Sequence, residues 1–257
     1  MNCITSSQCL LMILLSVTSS PADEFEKNIR KGKESLNSLK SREAITYFSA
    51  AIKLAPDKPE GYLNRALAYW LTGRSKQALA DLDEVMRRDP KNSAAYSMRG
   101  AIYYSIEEYD KSIADLDKAI DYDPGNADAL AYRAFAYYAK KEYGKAIADR
   151  KETLRLRPKD PGVYAALASD FAECPDPNFR DGRKALEYAT KACELSEWKL
   201  FLYLEALAAA YAELGRYDEA ITWQKKANEL NKTVNPQLKE AAERRLKLYE
   251  AHKPFRR

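Results

Sequence analysis

The stretch PEGYLNRALAYWLTGRSKQALADLDEVMRRDP, residues 59–90, shows most clearly a pattern that runs through much of the chain. Its last residue belongs to a series of four prolines that stand 34 residues apart: Pro56, Pro90, Pro124 and Pro158. An internal period of about 20 to 50 residues indicates a solenoid of stacked repeats. The segments between these prolines can therefore be aligned with one another.

Each 34-residue repeat carries two stripes of apolar residues at helical spacing. With the prolines placed at position 32, apolar or aromatic residues occupy positions 4 and 11 in most repeats, and a small residue occupies position 8. The second stripe falls on positions 20, 24 and 27, as in Ala78, Leu82 and Val85. Spacings of three and four residues place side chains on one face of a helix. Each repeat is therefore predicted to be a pair of antiparallel helices, with the proline ending the second.

The composition agrees with an all-helical chain. Of 257 residues, 46% are hydrophobic and 31% are charged, and only nine are glycine, which disfavours a sheet-rich fold with many tight turns. The net charge of +4 is accounted for by residues 239–257, in which seven Lys or Arg residues face three Glu residues. We interpret this segment as the solvated face of a last helix, and we expect no nucleic-acid partner.

With these residues in place, the chain resembles the tetratricopeptide repeat family of bacterial type, whose pattern is the same 34-residue helix-turn-helix. The resemblance covers residues 25–232 and implies an all-α, right-handed superhelical solenoid of antiparallel helix pairs. About six repeats are expected, at residues 25–58, 59–92, 93–126, 127–160, 161–199 and 200–232. Asn235 and Pro236 look like the N-cap and first residue of a C-terminal capping helix at residues 235–252, with a basic tail to residue 257.

The fifth repeat is interrupted by the stretch AECPDPNFRDG, residues 172–182. The repeat spacing predicts an alanine at residue 180, but the matching alanine is Ala185, five residues later. We interpret the stretch as an inserted loop in which Pro175 and Pro177 end the first helix and Asp181 caps the second.

The two cysteines near this loop, Cys174 and Cys193, are predicted to be separate buried thiols. At about 1.5 Å per helical residue they lie on the order of 15 Å apart, whereas a disulfide needs Cα atoms within about 7 Å. A catalytic cysteine needs a base, and the one histidine, His252, lies near the far end of the chain. Catalysis by Cys174 is therefore disfavoured.

Residues 1–22 carry no charged side chain and contain the apolar run CLLMILLSV at residues 9–17. The segment ends in Ser20-Pro21-Ala22, which is typical of a cleavable secretory signal, although no Lys or Arg lies near Met1. The run is too short to cross a hydrocarbon core of about 30 Å, so no transmembrane span is expected in the mature chain. We expect export to the periplasm or the medium, and a cytoplasmic location if the segment is not a signal.

Arginine recurs at position 7 and aspartate at position 23 of three consecutive repeats. The arginines are Arg65, Arg99 and Arg133, and the aspartates are Asp81, Asp115 and Asp149. Since the helices turn back near position 15, both positions are equally distant from the turn. A row of guanidinium groups that binds anions is one reading, but every arginine has its aspartate, so we favour ion pairs that join the helices.

In the family that the chain resembles, the first helix of each repeat lines a concave groove. The residues at the corresponding positions are largely apolar and aromatic, and large apolar patches usually mark interaction sites. Packing of some of these side chains against neighbouring helices is the alternative. The candidate peptide-binding residues are Asn64, Leu67, Trp70, Leu71, Met98, Tyr104, Tyr132, Phe135 and Tyr138.

The sequence contains no phosphate-binding glycine loop, no metal-spaced cluster of His and Cys, and no nucleophile with its base. We therefore expect no cofactor, no metal and no enzymatic activity. The main hypothesis is a scaffold that binds a peptide or helix of another protein in an aromatic groove. The alternative is a self-assembling structural or envelope-associated protein that forms homo-oligomers, while a thiol-dependent enzyme is disfavoured.

Overall fold

The computed structural model describes residues 20–231 and 235–257, and within these ranges it contains helices and no strand. A short 3₁₀ helix spans Pro177–Phe179. The α-helices are α1 (Pro21–Asn37), α2 (Ser41–Leu54), α3 (Pro59–Leu71), α4 (Ser75–Arg88), α5 (Ser93–Ser105), α6 (Tyr109–Tyr122), α7 (Ala127–Ala139), α8 (Tyr143–Leu156), α9 (Pro161–Glu173), α10 (Gly182–Leu195), α11 (Phe201–Glu213), α12 (Tyr217–Leu230) and α13 (Pro236–Glu250).

Consecutive helices pack as pairs, which confirms the predicted class of stacked antiparallel helix pairs. The second helix of each of the first four pairs ends two residues before a proline of the 34-residue series. The proline lacks an amide N–H and disfavours helical backbone at the residue before it. The spacing of the prolines therefore sets the length of each pair.

The helices form two compact units, one reaching to Ala95 and the other comprising Tyr96–Arg257. In the first unit the core is built on Phe25 and Phe48, which are fully buried. In the second unit it is built on buried leucines and alanines of α9 and α11, and α13 adds the fully buried Tyr249. Asn235 caps α13 and Pro236 is its first residue, as predicted.

Two glycines at position 8 allow the helices of their pairs to approach closely. A Cβ atom on Gly100 would lie 2.6 Å from Cγ of Leu116, and one on Gly32 would overlap the ring of Phe48. Both large partners occupy position 24 and are fully buried. A small residue at position 8 therefore makes room for a large one at position 24.

The interrupted fifth repeat contains the predicted loop. α9 ends at Glu173, and the carboxylate of Asp181 accepts hydrogen bonds from the N–H groups of Arg183 and Lys184 at the start of α10. The amide of Asp181 donates to the carbonyl oxygen of Phe171 at 2.9 Å, which ties the loop to α9. Cys174 and Cys193 are buried free thiols, as predicted.

The repeated arginines and aspartates form ion pairs within helix pairs, which confirms the structural interpretation. Arg65 donates from Nε and Nη2 to the two carboxylate oxygens of Asp81, both at 2.8 Å, and Arg133 does the same to Asp149. Arg99 pairs with Asp115 at 2.6 and 2.8 Å. The hydrogen bonds that the two guanidinium groups donate to Asp81 and Asp149 raise the pKa of Arg65 and of Arg133 further above the ordinary value for arginine. Two-point contacts of this kind fix geometry as well as adding energy.

Most of the predicted leader, residues 1–22, lies outside the described residues. Its last three residues begin α1: Ser20 caps the helix, and its hydroxyl accepts a hydrogen bond from the N–H of Asp23 at 3.1 Å. No helix in the described part of the chain is both long enough and apolar enough to cross a membrane.

We expect Asp115→Ala to lower the free energy of unfolding by about 2 kcal/mol, because the change leaves the half-buried guanidinium of Arg99 without its main carboxylate. Urea denaturation followed by circular dichroism measures this loss. Asp121→Ala, an exposed change on the same helix, is the matched control and should shift stability by less than about 0.5 kcal/mol. Equal stability of the two variants would contradict the role given to the pair.

Candidate functional site

Four of the predicted groove residues, Asn64, Leu67, Trp70 and Leu71, lie on α3 in the first unit. The side-chain amide of Asn64 donates to the carbonyl oxygen of Glu60 at 2.8 Å, so one of its donors is used within its own helix. Leu67 and Trp70 are half-buried, while Leu71 is 60% exposed. This face of α3 therefore offers mainly apolar surface.

The other five predicted residues lie in the second unit, and three of them form a contiguous set. The ring centroid of Phe135 on α7 lies 5.8 Å from that of Tyr104 on α5 and 6.4 Å from that of Tyr132 on α7. We call these three residues the aromatic row. Phe135 is 41% exposed, whereas Met98 and Tyr138 are half-buried and lie outside the row.

The sequence of α7 explains why its aromatic side chains remain at the surface. Alanines such as Ala129, Ala134 and Ala136 are buried and pack the helix against its neighbours, leaving the larger rings for the other faces. Partial burial raises the pKa of the Tyr104 and Tyr132 hydroxyls above its ordinary value. Both tyrosines therefore remain neutral at physiological pH and present an apolar ring with a polar tip.

Two clefts of side-chain size lie beside Phe135, and both are also lined by Arg150. The smaller, about 120 Å³, is bounded by Ala131, Val163 and Ala166 among other residues. The larger, about 280 Å³, reaches Glu173 and Glu205. Pockets for small organic ligands are commonly about 300 to 1,000 Å³, so these clefts suit single side chains.

A larger depression, about 680 Å³, lies elsewhere on the second unit along α10. Its walls include Arg183, Glu187 and Lys191, which are exposed charged residues. Its walls also include the rings of Tyr164 and Tyr188, but none of the predicted groove residues lines it, so we take the aromatic row as the candidate site.

Arg150 joins the aromatic row to a charged region. It occupies position 24, where the first three helix pairs have Phe48, Leu82 and Leu116, and it is buried. Its guanidinium carbon lies 5.3 Å from the ring centroid of Phe135 and 5.5 Å from that of Tyr138, and its Nη1 pairs with Asp170. A charged residue within an apolar stripe is the sequence signal that could have identified Arg150 as a site residue.

Three buried carboxylates follow Arg150 on α9 and α11: Asp170, Glu173 and Glu205. Arg245 of α13 contacts Glu173 at 3.5 Å and Glu205 at 3.1 Å. Burial raises the pKa of each of these carboxyl groups above its ordinary value, and the nearby guanidinium groups oppose that shift. Charges that are removed from water in this way are stable only when they are paired.

The segment after α13, residues 252–257, returns to α9, and we call it the return segment. Arg257 contacts Asp170 and Glu173, both at 3.1 Å, and its guanidinium carbon lies 4.7 Å from the ring centroid of Tyr138. Arg256 contacts Glu213 at 2.6 Å. The prediction that the basic tail is only a solvated helix face is therefore wrong for Arg245, Arg256 and Arg257. Their partners lie 40 to 87 residues away in sequence, where no local pattern reveals them.

The two buried cysteines lie in surroundings that oppose nucleophilic chemistry. Burial raises the pKa of the Cys174 thiol, and it raises that of Cys193 to about 12. The thiolate is the reactive form of cysteine, so both groups are inert at neutral pH. His252 stacks on Tyr217 with ring centroids 5.1 Å apart. In residues 20–231 and 235–257, no group of three His, Cys, Asp or Glu side chains is arranged to hold a metal ion.

We expect both buried thiols to react slowly with Ellman's reagent at neutral pH, at a rate at least about 100-fold below that in concentrated guanidinium. The measurement uses the Cys3→Ser, Cys9→Ser variant, so that only Cys174 and Cys193 contribute to the absorbance. Rapid reaction of one equivalent in the native state would contradict the inert assignment and reopen a thiol-dependent activity.

Comparison with known families supports the repeat assignment. Tetratricopeptide repeat models match residues 29–93 and 203–233, and a TPR repeat model matches residues 100–141. Together these segments make up just over half of the chain. No curated protein sequence shows significant similarity to it.

Solved structures share the fold at low sequence identity. A structure described as a functional characterization of Pseudomonas aeruginosa pilF is 15% identical, covers 86% of this chain and 98% of its own, and has a TM-score of 0.71. PilW, described as a widely conserved type IV pilus biogenesis factor, is 18% identical over 84% of this chain and 97% of its own, with a TM-score of 0.72. YrrB, described as a TPR protein with an unusual peptide-binding site, is 18% identical over 77% and 97%, with a TM-score of 0.58.

Proposed function

Because the chain belongs to the tetratricopeptide repeat family, we propose that it is a non-enzymatic scaffold that binds a peptide or helical segment of a partner protein. The observation that carries this proposal is the aromatic row of the second unit. Its three rings lie at a surface that is flanked by two clefts of side-chain size.

The aromatic row has the composition of an interaction hot spot. Phe135 exposes 41% of its surface between neighbours that hold its ring in place, so binding would bury apolar area at little cost in side-chain entropy. Tyr104 and Tyr132 add apolar rings whose hydroxyls remain protonated. Arg150 lies against Phe135 and adds a fixed positive charge beside the rings.

The dimensions of the clefts favour a peptide over a small molecule. Volumes of about 120 and 280 Å³ accept one side chain each, and Phe135 lines both clefts. A bound segment that places one side chain in each cleft would contact the phenylalanine ring, and both extended peptides and helix faces insert side chains into such pockets. YrrB, which shares the fold, is described as having a peptide-binding site. The four predicted residues of α3 remain a prediction for a further contact surface.

We also propose that the protein is exported. Support comes from the composition of residues 1–22, with an uncharged apolar run followed by small residues. A partner in the periplasm or the medium would fit this location.

The test of the scaffold function begins with affinity capture from the native cell extract, using the parent chain and the Phe135→Ala variant. Each protein that is recovered selectively by the parent is then purified and titrated against both chains. We expect Phe135→Ala to weaken binding by about tenfold or more, because removal of a hot-spot aromatic costs about 2 kcal/mol. The matched control is Tyr122→Ala, which removes a ring of the same 41% exposure that contacts Tyr96 instead of the aromatic row.

Equal loss of binding in both variants would indicate a general effect on folding rather than a contact at the aromatic row. Unchanged binding in Phe135→Ala, with circular dichroism that matches the parent, would contradict the proposed site. Concentration-dependent light scattering by the parent chain without any captured partner would favour the self-assembly alternative.

A further inference from the structure

The return segment is seated on the second unit in the manner of a bound peptide. Phe255 is half-buried against the cluster that contains Tyr249, and Arg245 lies over its ring with the guanidinium carbon 4.6 Å from the centroid. The N–H of Arg257 donates to the carbonyl oxygen of Glu173 at 3.2 Å. Nη1 of Arg256 donates to the carbonyl oxygen of Ala172 at 2.9 Å. Main chain and side chains of the segment are therefore both recognised by the end of α9.

Each carboxylate that contacts this segment pairs with two arginines, one through each of its oxygens. One oxygen of each carboxylate binds an arginine of the surrounding helices or loop: Asp170 Oδ2 contacts Arg150, Glu173 Oε1 contacts Arg245, and Glu213 Oε1 contacts Arg180. The second oxygen faces the return segment: Asp170 Oδ1 and Glu173 Oε2 contact Arg257, and Glu213 Oε2 contacts Arg256. The 2.6 Å contact between Glu213 and Arg256 is not aligned as a hydrogen bond, so we treat it as an ion pair.

The pairing of the two oxygens with different arginines prepares the site to bind a guanidinium group. The inner arginines hold the three carboxylates in place and lower the cost of their burial, so the outer oxygens are preorganised before the segment binds. A planar guanidinium with several donors can contact two such oxygens at once, as Arg257 does, whereas a lysine ammonium lacks this geometry.

We propose that Asp170, Glu173 and Glu213 form an arginine-recognition site that residues 254–257 occupy within the chain and that an arginine-containing segment of the partner protein occupies in exchange. The inference rests on the proposed function and names the chemistry of the partner. Arg257 also lines the 280 Å³ cleft beside Phe135, so the site continues the aromatic row. The partner segment accordingly carries an apolar or aromatic side chain next to one or two arginines.

The return segment can leave its site because it is held only in part. The side chains of Arg256 and Arg257 remain 31% and 30% exposed, and the segment begins in a turn at residues 251–252, after which the N–H of Lys253 donates to the carbonyl oxygen of Leu248. Its attachment to α13 gives it an effective concentration on the order of millimolar. It therefore competes with the partner and weakens the affinity of the parent chain.

The test uses a fluorescein-labelled peptide of the sequence HKPFRR, residues 252–257, with blocked ends, and follows its binding by fluorescence anisotropy. The Arg256→Gln, Arg257→Gln variant, in which the site is vacated, should bind this probe at least about tenfold more tightly than the parent. A probe with both arginines replaced by glutamine should bind the variant at least about tenfold more weakly. The Lys239→Gln, Lys247→Gln variant removes two exposed charges of α13 outside the return segment and should behave like the parent.

Equal binding of both probes by the vacated variant, or no binding by a variant of parental helicity, would overturn the proposal. If the variant is destabilised, its thermal unfolding is measured with millimolar probe. A rise in its midpoint that the glutamine probe does not produce supports the site, and no rise overturns it.

This experiment is independent of the aromatic row. Loss of a captured partner in Phe135→Ala without any probe binding would leave the scaffold function standing and reject the arginine site. Probe binding by the vacated variant without any partner at the aromatic row would support the arginine site and contradict the scaffold function proposed for the aromatic row.

Discussion

The structure depends on the close approach of the two helices within each pair. A single pair cannot bury both of its apolar stripes, so its stability comes from a tight internal seam and from stacking on neighbouring pairs. The seam is tight because position 8 is small where position 24 is large, as with Gly100 beside Leu116. The arginine and aspartate pairs at positions 7 and 23 lie one residue away from this seam and use the same short distance between the helices.

The candidate site arises where this arrangement changes. In the pair formed by α7 and α8, Arg150 occupies position 24, so a charge replaces the large apolar side chain at the seam. Its guanidinium needs a carboxylate, which Asp170 provides from α9. Asp170 and Glu173 in turn need further cations, and these come from α13 and the return segment. Arg150, a charged residue in an apolar stripe, thus belongs to a network of ion pairs that extends to Arg257.

The sequence predicts those features that depend on local spacing. The 34-residue period predicts the helix pairs, Asn235 and Asp181 are recognisable caps, and the delay of Ala185 reveals the inserted loop. The sequence also predicts the ion pairs of Arg65, Arg99 and Arg133, because their partners lie 16 residues away across a single turn. It places Tyr104, Tyr132 and Phe135 among the groove residues, but ring contacts between helices follow from the packing of those helices and are not a property of spacing.

The same reasoning explains what could not be predicted. Arg257 meets Asp170 across 87 residues, and Arg245 meets Glu205 across 40, so neither pair has a fixed offset within the repeat. The repeat position of Tyr138 predicts a groove residue, and the structure adds that its ring lies beneath Arg257, a neighbour that the position does not reveal. The repeat period therefore predicts which helix faces form a surface, but it does not predict that the return segment covers part of that surface.

The return segment also changes how the second unit folds. Repeat proteins consist mainly of contacts between sequence neighbours, which allows folding to begin in any pair and to spread along the chain. The contact between Arg257 and Asp170 instead closes a loop of 87 residues and can form only after α9 to α13 have taken up their places. Docking of the segment is therefore a late step of folding, and it ties Arg257 to α9, so that the helices from α9 to α13 form one cooperative body.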